Sequence, residues 1–271
     1  MSLSIGVLHP GEMGITLATT LQASGHSVWW LAAGRSPATA ARAASLQDAQ
    51  HLEQLLERVQ ALVSVCPPAA AAQQAAEVHA AGFTGIYVDA NAVAPQTATQ
   101  IAGLFGSNYV DGGIIGPPAL NTGSTRLYLS GVRAAEVAAW FSAGPMQAIA
   151  LASPGVAAST LKMAYAAYTK GHSALLLAVN ALADQAGVHD DLLSEWALSQ
   201  PKLAERSALT AAGTSRKAWR FAGEMEEIAA TFAAHNLPSG FHTAAAELYE
   251  RMAELKDLPP ADLQQVLRSL K

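Results

Sequence analysis

Lys162 stands in the stretch Ser159-Thr160-Leu161-Lys162-Met163-Ala164-Tyr165-Ala166-Ala167-Tyr168-Thr169-Lys170-Gly171, which is otherwise small and apolar for much of its length. An ammonium in such a helix is costly unless it meets water, an anion or a reacting group. On a helix, Lys162, Tyr165, Thr169 and His172 or Ser173 fall roughly along one face. A second group with chemistry to offer is His9-Pro10-Gly11-Glu12-Met13-Gly14, between an apolar run at Leu3–Leu8 and a helical one at Ile15–Ser24. Gly11 and Gly14 hold two places of a G-x-G-x-x-G turn and His9 the third. Such a turn lets a phosphate approach the backbone and rest on a helix N-terminus. A third group follows the next apolar run, Val28–Leu31. There Ala32-Ala33-Gly34-Arg35-Ser36 contains no carboxylate. Asp or Glu at this place binds ribose hydroxyls; a planar cation beside a hydroxyl suits a ribose 2′-phosphate.

These residues predict a dinucleotide site over His9, Pro10, Gly11, Glu12 and Met13, with Arg35 and Ser36 favouring NADP over NAD. Plain connection chemistry for the turn and a solvated loop for the arginine remain open at this level.

The elements that would position these groups alternate. Ala43–Arg58 reads as a helical or loop segment. Ala61–Val65 reads as a strand ending at Cys66-Pro67-Pro68, and Ala69–Ala81 as a helix. Gly85–Asp89 is a further strand leading to Ala90-Asn91, and Pro95–Leu104 a helix. Cys66, Pro67 and Asn91 thus fall at strand C-termini, where ligands bind in open α/β sheets, and are expected to border a nicotinamide ribose. Asn108–Val110 predicts a short strand. The following Asp111-Gly112-Gly113-Ile114-Ile115-Gly116-Pro117-Pro118 reads as a loop whose backbone faces a ligand, although Arg126–Ser130 could instead make it a hairpin-like connection. Gln147–Leu151 is the last strand. Past Ser153-Pro154-Gly155 the strand signal ends, and Val156–Ala186 predicts one helix of roughly 45 Å, followed by further helices to the C-terminus. The expected fold is an α/β Rossmann domain with a mainly parallel sheet, residues 1–152, followed by an all-α substrate and dimerisation domain, residues 153–271.

Composition narrows the function classes. The 271 residues are 51% hydrophobic and 14% charged, with a net charge of −5. No basic stripe suits nucleic acid. One cysteine, Cys66, excludes an internal disulfide framework and reads as a packed residue. No apolar run reaches the length of a membrane span, and the N-terminus does not read as a signal peptide, so a cytoplasmic protein is expected. His235, His242 and Glu247 lack a metal-ligand spacing, and no metal is expected.

Taken together, the motifs resemble the β-hydroxyacid dehydrogenase superfamily, which includes 3-hydroxyisobutyrate and 6-phosphogluconate dehydrogenases. The narrower resemblance is to its bacterial, NAD-binding, phosphogluconate-dehydrogenase-like branch with a distinctive helical C-terminal domain. It rests on Leu8–Gly14, Asp111–Pro118 and Leu161–Gly171. Glu224-Met225-Glu226-Glu227-Ile228-Ala229-Ala230-Thr231-Phe232 and Leu237-Pro238-Ser239-Gly240-Phe241-His242 extend it. The resemblance implies that Lys162 takes the place of the catalytic lysine, a general acid/base on the substrate oxygen; a desolvated lysine can do this near neutral pH. Where the family has Asn four residues later, this chain has Ala166. Where the family has Ser-Gly-Gly, it has Ile115-Gly116-Pro117, and the late Lys-Asp pair has no clean counterpart. Tyr165 or Thr169 could supply the missing hydroxyl, with Gly112, Gly113, Ile114, Ile115 and His242 shaping a substrate pocket. The expected activity is NADP(H)-dependent interconversion of a hydroxy compound, a hydroxyacid by preference, with its carbonyl form. Imine reduction on the same architecture and a non-catalytic dinucleotide-binding sensor are the alternatives. The apolar helical domain implies a homodimer.

Overall fold

The computed structural model describes residues 2–271. The N-terminal part alternates as the periodicity predicts. Its elements run β1 (Ser4–Val7), α1 (Glu12–Ala23), β2 (Ser27–Leu31), α2 (Pro37–Arg42), β3 (Gln47–Ala49), α3 (Leu52–Arg58) and β4 (Ala61–Ser64). They continue with α4 (Pro68–Ala80), β5 (Ile86–Asp89), α5 (Pro95–Phe105), β6 (Tyr109–Ile115), β7 (Thr125–Ser130), α6 (Ala134–Ala138) and β8 (Met146–Ala150). The strands form one sheet in the order β3-β2-β1-β4-β5-β6-β7-β8. Neighbours are parallel except β6 and β7, which pair antiparallel. The first six strands follow the order of a doubly wound sheet, which reverses between β1 and β4, the switch point at which such sheets bind ligands.

The central parallel strands β1, β4 and β5 are short and largely apolar because both faces are covered. Ile5, Val7, Val28, Trp30, Val63, Val88 and Leu127 fill one side, with Leu17 and Leu21 of α1. Leu62, Tyr87, Tyr109, Leu55 and Ile101 fill the other.

Two expectations are corrected. The segment 43–58 is not a single helix or loop, because it contains the edge strand β3. That strand buries only Ala49, so it has no apolar run to betray it. Pairing with β2 and a bond from the Trp30 indole N–H to Asp48 hold it in place. Residues 111–115 are not an open loop but the body of β6, whose seven residues are all buried.

The helical part consists of α7 (Ala157–Gln185), α8 (His189–Ser199), α9 (Leu203–Thr214), α10 (Ala218–Ala234), α11 (Gly240–Arg251) and α12 (Leu263–Ser269). Two compact units divide at Met1–Lys162 and Met163–Lys271. The boundary thus falls inside α7, later than the break at 152. Within the second unit, Lys170 of α7 pairs with Glu224 of α10 at 2.8 Å, and Tyr249 of α11 donates to the Lys170 carbonyl at 2.8 Å. Among the described residues no helix is long and apolar enough to cross a membrane.

Candidate functional site

The turn after β1 is the first part of the site. Leu8 continues the pairing by donating to the Val63 carbonyl at 3.1 Å. Gly11 then opens α1 without any side-chain cap, leaving the first amides of a twelve-residue helix to meet an anion. The two glycines serve different ends. A Cβ at Gly14 would collide with the His9 carbonyl, so Gly14 allows the helix to cross the turn closely; a Cβ at Gly11 would meet nothing within 4 Å. His9 lies half-buried beside this turn, and its Nδ1 is buried without a partner. Burial first and then nearby Arg35 lower its imidazole to about 4, against a hydrogen bond with Gln74. The ring is therefore neutral at pH 7.

Arg35 does not point away into solvent. Its Nη2 donates back to the Leu8 carbonyl at 3.3 Å, and its Nε is buried with no partner. Ser36 is spent locally: its hydroxyl caps α2, accepting from the Thr39 N–H at 3.3 Å. A cation with an unmet donor, a ring nitrogen without a partner and an open face at Gly11 all border the end of β1. This donor set fits the phosphates of a dinucleotide.

Cys66 and Pro67 close the turn after β4. The Cys66 N–H donates to Asn91 Oδ1 at 2.5 Å. Burial pushes the thiol up to about 11, so it is a packed group rather than a nucleophile. Asn91 requires a correction as a ribose contact. It is 2% exposed, and its amide Nδ2 donates to Ser64 at 3.0 Å and to Asp89 at 2.6 Å. Its side chain is consumed in holding the ends of β4 and β5 together.

Beneath this edge runs a buried polar row that the sequence reading missed. Ser64, Asp89, Asp111 and Ser130 lie opposite one another across β4, β5, β6 and β7. Each is at most 1% exposed. Asp89 accepts from the Asn91 backbone at 3.1 Å and from the Tyr109 hydroxyl at 3.3 Å. Burial pushes its carboxyl up to about 6, with Asp111 adding to the rise and the Asn91 bonds opposing it. The available signal was that Ala-Leu-Val-Ser, Ile-Tyr-Val-Asp and Tyr-Val-Asp each end an apolar run in a polar residue.

Asp111 leads to Lys162. Its carboxylate accepts from the Ser159 N–H at 2.8 Å, the Ser159 hydroxyl at 2.5 Å and the Ser130 hydroxyl at 2.9 Å. Ser130 in turn accepts from the Ala158 N–H at 3.0 Å. The sheet thus caps α7 in place of a local residue. Two residues along β6, a Cβ at Gly113 would lie 2.7 Å from the Ala158 carbonyl oxygen and 3.1 Å from Lys162 Cβ. Gly112, Gly113, Ile114 and Ile115 pair with β7 along one edge of β6, and the absence of a side chain at Gly113 admits α7 closely. Lys162 is half-buried in the second turn of α7.

In the second unit Tyr165 is exposed on α7, while the Thr169 hydroxyl donates to the Tyr165 carbonyl at 3.2 Å. His242 is buried at 6% exposure, its ring tilted against Phe232 with centroids 4.2 Å apart. Burial lowers its pKa. The ring packs between α10 and α11.

Comparison with known proteins follows this geometry. Residues 183–252 match a domain of unknown function, DUF1932. No curated protein matches the chain in sequence. Among solved structures, the conserved protein MTH1747, itself of unknown function and structurally similar to 3-hydroxyacid dehydrogenases, is 24% identical. It covers 94% of this chain with 98% of its own, at a TM-score of 0.69. The Mycobacterium tuberculosis 3-hydroxyisobutyrate dehydrogenase, solved with L-serine, is 17% identical over 100% of both chains, at a TM-score of 0.68. A reductive aminase from Aspergillus terreus, solved with NADPH4, cyclohexanone and allyl amine, is 16% identical over 100% of both, at a TM-score of 0.56. At these identities the likeness is one of fold. The chain shares with these structures its fold, an eight-stranded, mainly parallel sheet with helices followed by a helical C-terminal region.

Proposed function

We propose that this protein is an NADP(H)-dependent oxidoreductase that interconverts a hydroxyacid with its carbonyl form, with Lys162 as general acid/base. The observation that carries the reading is the docking of Lys162 on β6 through Gly113, in the same compact unit as the β1–α1 turn. Gly11, His9 and the α1 amides would hold the pyrophosphate, and Arg35 the 2′-phosphate, with Cys66 and Pro67 beside the nicotinamide ribose. When bound, the dinucleotide supplies hydride to the carbonyl carbon. Lys162 gives its proton to the carbonyl oxygen and takes it back in the reverse direction. Reduction of an imine is the second reading, favoured by the fold shared with the reductive aminase; the lysine, suited to an oxygen atom, weighs for the first.

Dinucleotide affinity measured by NAD(P)H fluorescence tests the cofactor. Arg35→Ala is expected to weaken NADPH at least about tenfold, the scale of one lost charge-assisted bond, and to change NADH much less. Equal losses for both would assign Arg35 to the shared pyrophosphate and remove the NADP preference. Turnover of hydroxyacid, aldehyde and imine panels then separates the readings. NADPH binding without any turnover would favour the sensor.

A homodimer is part of this proposal. Leu161, Tyr165, Tyr168, His172, Leu175, Val179 and Leu182 recur at alternating four- and three-residue spacing along α7, the pattern of a helix-pairing seam. Tyr168 is 71% and Leu182 70% exposed. Antiparallel pairing of two copies would set Tyr168 against Leu175 and Leu161 against Leu182, with His172 near the twofold axis. Tyr168→Glu is expected to convert a dimer to a monomer in sedimentation velocity; an unchanged dimer would place the contact elsewhere.

A further inference from the structure

The buried carboxylate of Asp111 has no place in the chemistry above, yet it touches the helix that presents the lysine. Asp111 and Gly113 are two apart on β6 and so share a face. Ser159 and Lys162 are three apart on α7 and so are neighbours on its surface. The structure joins the two pairs as successive rungs. Asp111 bonds Ser159 at 2.8 and 2.5 Å, and Gly113 lies against Lys162. We propose that Asp111 is a positioning residue that fixes where the Lys162 amine stands and helps to hold it charged at rest.

The proposal rests on the reading of Lys162 as the proton-transfer group. Its logic is electrostatic as well as steric. Three donors converge on Asp111 and favour its ionised form. Burial is the larger effect and raises its carboxyl above the ordinary range, with the Ser159 and Ser130 bonds opposing the rise. The positive end of the α7 macrodipole disfavours an ammonium in the early turns, and a fixed negative charge beneath that end offsets it. The titratable groups around Asp111 are Asp89 from β5 and Tyr109 from β6 itself. From β7 comes only the Ser130 hydroxyl, and from α7 come Ser159 and, one turn on, Lys162.

The test needs no substrate. Reductive methylation of the full-length protein with labelled formaldehyde gives each lysine a carbon resonance whose shift follows its protonation. Lys162→Arg identifies the resonance of interest. Asp111→Asn keeps the shape and an acceptor but removes the charge. It is expected to lower the Lys162 titration midpoint by about half a pH unit or more, the scale set by a unit charge at roughly 10 Å in an intermediate dielectric, and to leave the other five lysines in place. Should Asp111→Asn fail to fold, Ser159→Ala keeps the carboxylate and loses one bond, and a smaller shift in the same direction is expected. An unmoved Lys162 midpoint in whichever variants fold overturns the proposal. The outcome is separate from catalysis. A shifted midpoint with full turnover in Lys162→Ala would sink the enzymatic role and leave the positioning intact.

Discussion

Lys162→Ala is expected to lower turnover about 10²- to 10⁴-fold, the range for loss of a positioned acid/base, with dinucleotide affinity nearly unchanged. The split follows from geometry. The residues proposed to hold the cofactor sit on the β1–α1 turn and after β2 and β4, whereas Lys162 is carried by α7 and reaches the sheet through β6. Removal of its side chain leaves the Asp111 cap and the Gly113 contact with the Ala158 backbone in place, so the melting temperature should hold. The measurement is steady-state turnover on whichever panel substrate is found, together with NADPH titration. If turnover survives in a folded Lys162→Ala protein, the lysine is not the proton donor. If turnover and NADPH binding fall together, it acts through the cofactor site.

Substitution at the two turn glycines should produce opposite results. Gly14→Ala places a methyl group against the His9 carbonyl. The turn must open or α1 must move, at an expected cost of about 2 kcal/mol or more in stability, and binding is lost with the geometry. Gly11→Ala meets no atom of the chain within 4 Å, and its backbone, φ −66° and ψ −166°, is extended. Its stability should therefore change by less than about 0.5 kcal/mol. The methyl nevertheless enters the space proposed for the pyrophosphate, and NADPH affinity should fall at least about tenfold, as a single steric insult of 1.4 kcal/mol or so requires. Chemical denaturation and NADPH titration of both variants check this. Unimpaired binding by Gly11→Ala would move the phosphates away from this turn.

Much of the fold was legible because its signals are local. Short apolar runs separated by Gly and Pro mark β1, β2, β4 and β5, and the loss of that alternation after Pro154 marks the long α7. The stretch Asp111–Ile115 reads as an open loop, with the hairpin-like connection to Arg126–Ser130 as the alternative that holds, because two glycines carry no strand propensity of their own. Its strand character comes from β7, with which it forms a ladder that local pattern does not encode. β3 was hidden because an edge strand with one buried residue needs no apolar alternation.

The candidate site divides along the same line. The sequence alone determined the glycine turn, the absence of a carboxylate after β2 and a lysine in an apolar helix, since residue type and spacing state these directly. Which polar groups meet was decided only in three dimensions. Arg35 bends back to Leu8 across 27 residues, Cys66 finds Asn91 across 25, and Ser159 finds Asp111 across 48. A hydrogen bond depends on distance and angle in space, and sheet order brings those partners together where chain order does not.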